Sequence, residues 1–275
     1  MPELPEVETV RNVLKLWVKG RTIKNSDIYY EKVLENIVFN EFKDKIVNQK
    51  IHDINRIGKH LIFILDDYVL LSHLRMEGKY YLIENNNLDE KQNKHKIISF
   101  LLDDNKMLLY HDVRKFGKMK LLDKNNYMND ETLSKLGKEP FAISKEELFD
   151  KIKNSNKTIK ELILDQTVMA GLGNIYADEV LFLSKLNPLK KGKEISLNRC
   201  QMIIDNSIIV LNKAIKAGGS TIRSYHSGNN VDGRFQNELN VYGKKGEKCP
   251  CCSTIIEKMV VGGRGTHYCP KCQNN

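Results

Sequence analysis

The chain has 275 residues, 41% hydrophobic and 29% charged, with 44 Lys and Arg against 35 Asp and Glu for a net charge of +9. That length holds one large domain or two moderate ones, with apolar content ample for a core, which excludes a disordered or fibrous chain. There is no run of 18 apolar residues and no basic-then-apolar leader, so neither a membrane span nor export is expected; the expected location is cytoplasmic, and the positive balance suits a polyanionic partner.

The chain opens Met1-Pro2-Glu3-Leu4-Pro5-Glu6-Val7-Glu8-Thr9. Initiator Met is normally removed ahead of a small residue, which would leave the secondary amine of Pro2 at the terminus. An α-amino group has a pKa of about 7.7–8.0 against about 10.4 for Lys, so near neutrality much more of it is an uncharged nucleophile. Such an amine attacks a sugar C1′ or a carbonyl to give an iminium, and Glu3 or Glu6 nearby can shuttle protons. Pro followed by acids is equally an ordinary helix start. Val7, Val10, Leu14 and Trp17 recur at helical spacing, which predicts an amphipathic helix from Pro5 to about Val18, ended by Gly20.

From Arg21 to about Leu122 the pattern becomes one of short strands: Thr22–Tyr30, Lys45–Ile57, His60–Leu65, Tyr68–Leu74, Lys79–Ile83, Ile97–Leu102, Met107–Tyr110 and Lys118–Leu122. Turn residues such as Asp66-Asp67 and Asp103-Asp104-Asn105 separate them, and alternation predicts an antiparallel sandwich. The polar stretch Glu84–Lys96 reads as a mobile loop. Three segments depart from strand chemistry. Arg56-Ile57-Gly58-Lys59-His60 is a Gly turn carrying a cation. Ser72-His73-Leu74-Arg75-Met76-Glu77-Gly78 ends a strand on a Met. His111-Asp112-Val113-Arg114-Lys115-Phe116-Gly117 mixes cations with an aromatic in a loop, as inserted wedges do. Taken singly, each also reads blandly, as a surface turn, a core Met and a solvated cationic loop.

Strand patterning fades over Asn125–Pro140, and helices follow: Ser144–Lys153 with a Ser144-to-Glu147 capping box, Thr158–Met169, Ile175 to about Leu183, and Ser196 to Ala217. The turn Gly171-Leu172-Gly173-Asn174 would bring backbone N–H groups to a surface, with Asn174 capping the next helix and phosphate as a suitable guest, or it is a plain helix–helix turn. Gly218–Gln236 is rich in Gly, Ser and Asn and reads as a flexible loop. Finally Cys249-x2-Cys252 and Cys269-x2-Cys272, sixteen residues apart, fit a four-thiolate zinc ribbon. Four thiolates leave no open position, so one Zn2+ is expected as a structural ion. Thr254–Val260 and Thr266–Tyr268 would form its hairpin, with Arg264 at the tip. Cys251 is spaced wrongly for the set, and Cys200 is isolated.

The opening string, the three irregular segments, the stretch from Lys160 to Asn174 and the cysteine ribbon, in that order, resemble formamidopyrimidine-DNA glycosylases, the bacterial repair enzymes for oxidised purines. The resemblance covers nearly the whole chain. It implies an α+β protein: an N-terminal antiparallel β-sandwich with a flanking helix over 1–135, a helical helix–two-turn–helix domain with a lesion-capping loop over 136–237, and a β-hairpin zinc finger over 238–275. It implies a monomer that binds double-stranded DNA in a basic cleft and removes 8-oxoguanine and ring-opened purines as a glycosylase and lyase. Pro2 would attack C1′ and Glu3 would handle protons. Lys59 and Arg264 would assist strand cleavage. Met76, Arg114 and Phe116 would fill the gap left by the everted nucleotide. His73, His95, Lys157, Lys160, Asn174, Tyr242 and Lys258 would lie on the DNA side, with Lys160 near the nucleophile and Asn174 on a phosphate. Ser220, Thr221, Arg223 and Tyr225 would belong to the capping loop. Val113 and Lys115 depart from the Pro and Arg common in relatives, which bears on loop stiffness and on a bidentate phosphate contact. Two other readings share features of this sequence: the sister group acting on oxidised pyrimidines, and a non-enzymatic zinc-ribbon nucleic-acid-binding protein.

Overall fold

A computed structural model describes residues 1–84, 89–220 and 233–274 of the chain. It has two compact units, Met1–Ser134 with Gly218–Gly233, and Lys135–Ala217 with Arg234–Asn275.

The first unit opens with α1 (Leu4–Val18), whose Leu4, Val7, Val10, Leu14 and Val18 are buried on one face. At about 1.5–3 kcal/mol for each fully buried Val or Leu, this face outweighs any contribution of the cap, and packing is what holds the helix. Eight strands follow: β1 (Ile23–Ile28), β2 (Asp53–Ile57), β3 (His60–Ile64), β4 (Tyr68–His73), β5 (Lys79–Ile83), β6 (Lys96–Leu102), β7 (Met107–His111) and β8 (Lys118–Asp123). They form two four-stranded antiparallel sheets, ordered β1-β6-β7-β5 and β2-β3-β4-β8. Phe42, Leu61, Phe63, Leu70, Phe100, Leu108 and Tyr110 are among the side chains that fill the sandwich, together with the apolar face of α1. Because α1 touches β2 and β3 of one sheet and β5 of the other, it bridges the two sheets.

Two local expectations of this unit need correction. Lys45 and Ile46 do not begin a strand: they end α2 (Phe39–Ile46), where Phe42 and Ile46, four apart, are buried on one side, and the strand starts only at Asp53. The polar stretch expected to be wholly a loop contains α3 (Glu90–Lys94), started by a capping box in which Asp89 Oδ1 accepts from Gln92 N at 2.6 Å. A short α4 (Glu131–Ser134) lies where patterning fades.

The second unit contains α5 (Lys145–Ile152), α6 (Ile159–Leu164), α7 (Asn174–Leu183), α8 (Leu197–Lys216) and the hairpin β9 (Glu257–Val261) and β10 (Arg264–Tyr268). Ser144 and Glu147 cap α5 reciprocally at 3.1 and 3.0 Å. The expected helix to Met169 stops at Leu164. There Asp165 takes up Thr167 in a turn, and Gln166 reaches both the Leu172 carbonyl and the Gly171 N–H, so side-chain bonds replace helix bonds over the two turns before α7. From Ile175 to Phe182 every residue of α7 is buried, the signature of a central helix.

Candidate active site and metal centre

At the amino end Pro2, Glu3 and Glu6 are all buried. Glu3 is extended (φ −103°, ψ −174°), and its N–H donates to Glu6 Oε2 at 2.9 Å. The other oxygen of Glu6 accepts from Ser220 N at 2.7 Å and Ser220 Oγ at 3.1 Å. Gly219, at φ +83°, passes so close that a Cβ would stand 2.8 Å from Glu6 Oε1, so this position needs glycine for both conformation and space. One carboxylate thus ties the start of the expected capping loop to the start of the chain. Thr221, Arg223 and Tyr225 lie outside the described residues. Burial holds the terminal amine of Met1 below its ordinary 8.0; Glu3 and Glu6 pull the other way, and Lys59 adds to the lowering.

Lys59 is buried at the two-residue tip joining β2 to β3. Sequence reading missed what braces that tip. Arg56 donates to the Gly58 carbonyl at 2.8 Å and to Glu8 at 2.9 Å, tying the tip to α1. Burial acts to raise the Glu8 carboxyl, but hydrogen bonds from Arg11 and Arg56 bring it below its usual value.

Met76 sits in a turn closed by Gly78 N donating to the Leu74 carbonyl at 3.0 Å. Phe116 is 49% exposed, and the Arg114 guanidinium stacks over its ring at 4.8 Å. Met1, Met76 and Phe116, with Arg75, Lys115 and Lys118, line one cleft of about 450 Å3. His73 accepts from Arg75 N at 2.9 Å, and its ring meets His60 edge-on at 4.6 Å. Burial pushes His60 down to about 4, with Arg75 and Lys59 adding to it, and holds His73 well below its ordinary value. His95 ends α3, its ring edge-on to His111 at 5.6 Å.

In the second unit the expected residues sort differently. Lys160 has no exposed surface; its ammonium donates to Asp178 at 2.5 Å and to the Asn174 carbonyl at 3.1 Å. Asn174 is not the cap of α7: Gly173 is, and the Asn174 side chain donates instead to the Gly265 carbonyl at 2.9 Å. Asp178 also accepts from His267 N at 2.8 Å, while Glu179 accepts from the backbone of Asn240, Val241 and Tyr242 at 2.8–3.0 Å. Asp178 and Glu179 were missed, though two adjacent acids in an otherwise apolar helix are a legible signal of buried acceptors. Arg264 stands exposed at the start of β10, next to Gly262 and Gly263, both at positive φ. Lys258 is exposed and crosses Gly265; Lys157 is exposed, 4.0 Å from Asp165.

The sulfurs of Cys249, Cys252, Cys269 and Cys272 all lie within 4.8 Å of one another, with Cys249–Cys272 at 3.8 Å and Cys252–Cys269 at 3.5 Å. A tetrahedron of thiolates about 2.3 Å from a zinc ion has edges of about 3.8 Å, so the four residues fit one structural Zn2+ with no open position. Cys251 is exposed, and burial pushes the isolated Cys200 thiol up to about 11.

Three family models match the chain: the formamidopyrimidine-DNA glycosylase N-terminal domain over residues 1–119, the H2TH domain of the same glycosylases over 136–226, and the zinc finger found in FPG and IleRS over 246–275. The formamidopyrimidine-DNA glycosylase of Bacillus cereus is 46% identical over 276 residues, with 99% of each chain covered. That of Halalkalibacterium halodurans is 43% identical, covering 99% of this chain and all of the other. Among solved structures, a Lactococcus lactis FPG mutant in complex with Fapy-dG containing DNA superposes with a TM-score of 0.92 at 42% identity, and MutM in complex with carbocyclic 8-oxo-G containing DNA with 0.91 at 41%; both cover 100% of each chain.

Proposed function

This chain belongs to the formamidopyrimidine-DNA glycosylase family, and from that membership we propose how its own residues divide the work. The enzyme is a DNA-repair glycosylase and lyase for oxidised purines in duplex DNA, acting as a monomer. The observation that carries the assignment of roles is the amino end: Pro2 buried beside Glu3 and Glu6, at a place where burial already lowers an amine's pKa. With Met1 removed, the Pro2 nitrogen has a far larger uncharged, nucleophilic fraction near neutral pH than a lysine would.

The Pro2 lone pair forms a bond to C1′ as the bond from C1′ to the base nitrogen breaks, and the base departs with a proton. Glu3 takes the proton that the Pro2 nitrogen sheds on bonding to C1′ and passes it to the ring oxygen as the sugar opens to an iminium. The iminium acidifies the C2′ proton; its loss expels the 3′ phosphate, and a second proton loss expels the 5′ phosphate. Lys59 and Arg264 offer charge to the departing phosphates. Met76, Arg114 and Phe116 occupy the space of the everted nucleotide, with Arg114 facing the widowed cytosine. His73, His95, Lys157, Tyr242 and Lys258 serve the DNA backbone. Lys160 and Asn174 act from behind it, Lys160 by bracing the α7 start and Asn174 through its backbone and its hold on Gly265. Ser220, Thr221, Arg223 and Tyr225 close over the base. In this division 1–135 carries the chemistry and the wedge, 136–237 the helix–two-turn–helix and capping loop, and 238–275 the zinc finger. The zinc holds its hairpin and takes no chemical step. The substrate places the working enzyme on the nucleoid.

Borohydride trapping on a duplex with one 8-oxoguanine opposite cytosine tests this. A covalent protein–DNA band is expected for the wild type and is expected to be lost or greatly weakened for Pro2→Gly and Glu3→Gln. A full-strength band from wild-type protein whose terminal amine has been acetylated would move the nucleophile elsewhere. A band only with an oxidised pyrimidine would overturn the purine assignment.

A further inference from the structure

Asp112 has no exposed surface, yet it begins an exposed loop. Its Oδ1 accepts from Arg114 N at 2.9 Å, and its Oδ2 accepts from Phe116 N at 2.9 Å and Gly117 N at 2.8 Å. Its backbone carbonyl accepts from Lys115 N at 3.3 Å. One residue therefore holds four successive N–H groups, and it does so while Lys115 sits at φ +57°, a conformation that a lysine adopts only when its surroundings impose it. A carboxylate suits this task because both oxygens accept and neither donates.

The residue two positions earlier adds a second support. Tyr110 is fully buried at the end of a ring ladder, 5.0 Å from Tyr80, which is 5.7 Å from Phe63. Its hydroxyl end lies against Gly78 and Gly117, and a methyl group on either glycine would run into that hydroxyl oxygen. Gly78 closes the turn that carries Met76, and Gly117 closes the loop that carries Arg114 and Phe116. The two loops are thus mounted on one phenol.

We propose that Asp112 and Tyr110 are positioning residues that fix the Met76 turn and the Arg114–Phe116 loop as one rigid wedge, so that base eversion meets a preformed plug. This rests on the wedge role given above to Met76, Arg114 and Phe116. Neither Asp112 nor Tyr110 reaches the DNA; each acts through the loop it holds. An inserted plug must resist the duplex stack with its backbone already set, because each freed N–H buried against it costs about 1–3 kcal/mol. Asn at position 112 keeps the shape but turns one acceptor into a donor, facing either Arg114 N or the Phe116 and Gly117 pair.

The test compares two substrates for each protein. Excision of 8-oxoguanine opposite cytosine in a duplex needs the wedge; cleavage at an abasic site in single-stranded DNA does not, since no stack has to be filled. For Asp112→Asn, single-turnover excision from duplex is expected to fall tenfold or more, with single-strand cleavage within twofold of wild type. Pyrrolocytosine opposite an abasic analogue, which reports entry of Arg114 beside it, is expected to lose most of its fluorescence change. Equal loss on both substrates would reduce Asp112 to a folding role, and wild-type behaviour on both would remove the proposal. Where Asp112→Asn is too unstable to assay, Tyr110→Phe keeps the ring and removes the hydroxyl between the glycines. A duplex-selective loss of threefold or more is then expected, and none overturns the proposal. Wild-type protein inactive on both substrates would sink the underlying glycosylase reading instead.

Discussion

The loop of Arg114 and the hairpin of Arg264 do the same thing by different means. Both present an arginine to solvent beside residues in left-handed backbone, Lys115 in one case and Gly262 and Gly263 in the other. The loop is mounted on a sandwich with a core of two dozen buried side chains, and one buried carboxylate is enough to set its backbone. The hairpin packs on a cluster whose buried members are Phe182, Val241, Cys249, Ile256 and Cys269. Two of those five are metal ligands. A core that small cannot offset chain entropy, so coordination does what packing does elsewhere. Rigid display of a cation thus needs either a large core with hydrogen bonds or a small one with a metal.

Zinc removal breaks the comparison most sharply. Structural zinc contributes on the order of 10–16 kcal/mol of apparent binding in zinc-finger peptides, well beyond what five buried side chains replace. Chelation, or Cys269→Ser, is expected to unfold the hairpin and abolish duplex cleavage. Trp17 is the one tryptophan of the chain and packs on the sandwich core, so its fluorescence reports the first unit. Its thermal transition is expected to persist without zinc. Loss of that transition on chelation would mean that the sandwich also depends on the metal.

The second test concerns what the metal does not do. The hairpin is also held to α7 by Asp178, which accepts from His267 N and pairs with fully buried Lys160. Asp178→Ala strands the Lys160 ammonium, and breaking a buried pair from one side costs about 3–5 kcal/mol. That loss should appear in denaturant unfolding followed by far-ultraviolet circular dichroism. Lys160→Met with Asp178→Asn keeps an acceptor for His267 and removes the charge, and is expected to regain most of the stability. A double variant no better than Asp178→Ala would show that the charge pair itself anchors the hairpin.

The same two regions differ in how far their residues could be read from sequence. Cysteine spacing carried the metal site, because ligand geometry is local and written in the order of the chain. Helical spacing carried α1, and the Gly-bounded segments marked Met76, Arg114 and Phe116 as loop residues. What holds them was not legible. Asp112 looks like one more charged residue in a cationic loop until its carboxylate is seen turned inward. Lys160 reads as a DNA-side cation, because nothing in its neighbourhood shows that Asp178, eighteen residues on, takes its charge. Glu6 meets Ser220 across 214 residues. Asn174 has the right chemistry for a cap but sits one residue inside the helix, where its amide faces Gly265. Partners distant in sequence are set by packing, and pattern reading has no access to them.

The smallest expected effect is a pH dependence belonging to the sandwich. His60 at the start of β3 and His73 at the end of β4 meet edge-on, with Lys59 and Arg75 close by and Asp130 the opposing charge on His60. Both are held below the ordinary 6.5, His60 down to about 4. The unfolded chain therefore binds protons near pH 6.5 that the folded chain refuses until about pH 4, and stability falls as pH drops through that window. For His60 alone the loss between pH 7 and pH 5 is about 2 kcal/mol, with His73 adding in the same direction. Glu8, Asp53 and Asp130 have lowered carboxyl pKa values, so their contributions fade at more acid pH, while the terminal amine, held below its ordinary 8.0, adds to the fall from the upper end of this interval. Thiolate protonation loosens the zinc hairpin on acidification too, which is why the probe must be Trp17 and not activity. His60→Gln is expected to flatten the fall of the Trp17 transition between pH 7 and pH 5. An unchanged slope in that variant would place the acid sensitivity outside the His60–His73 pair.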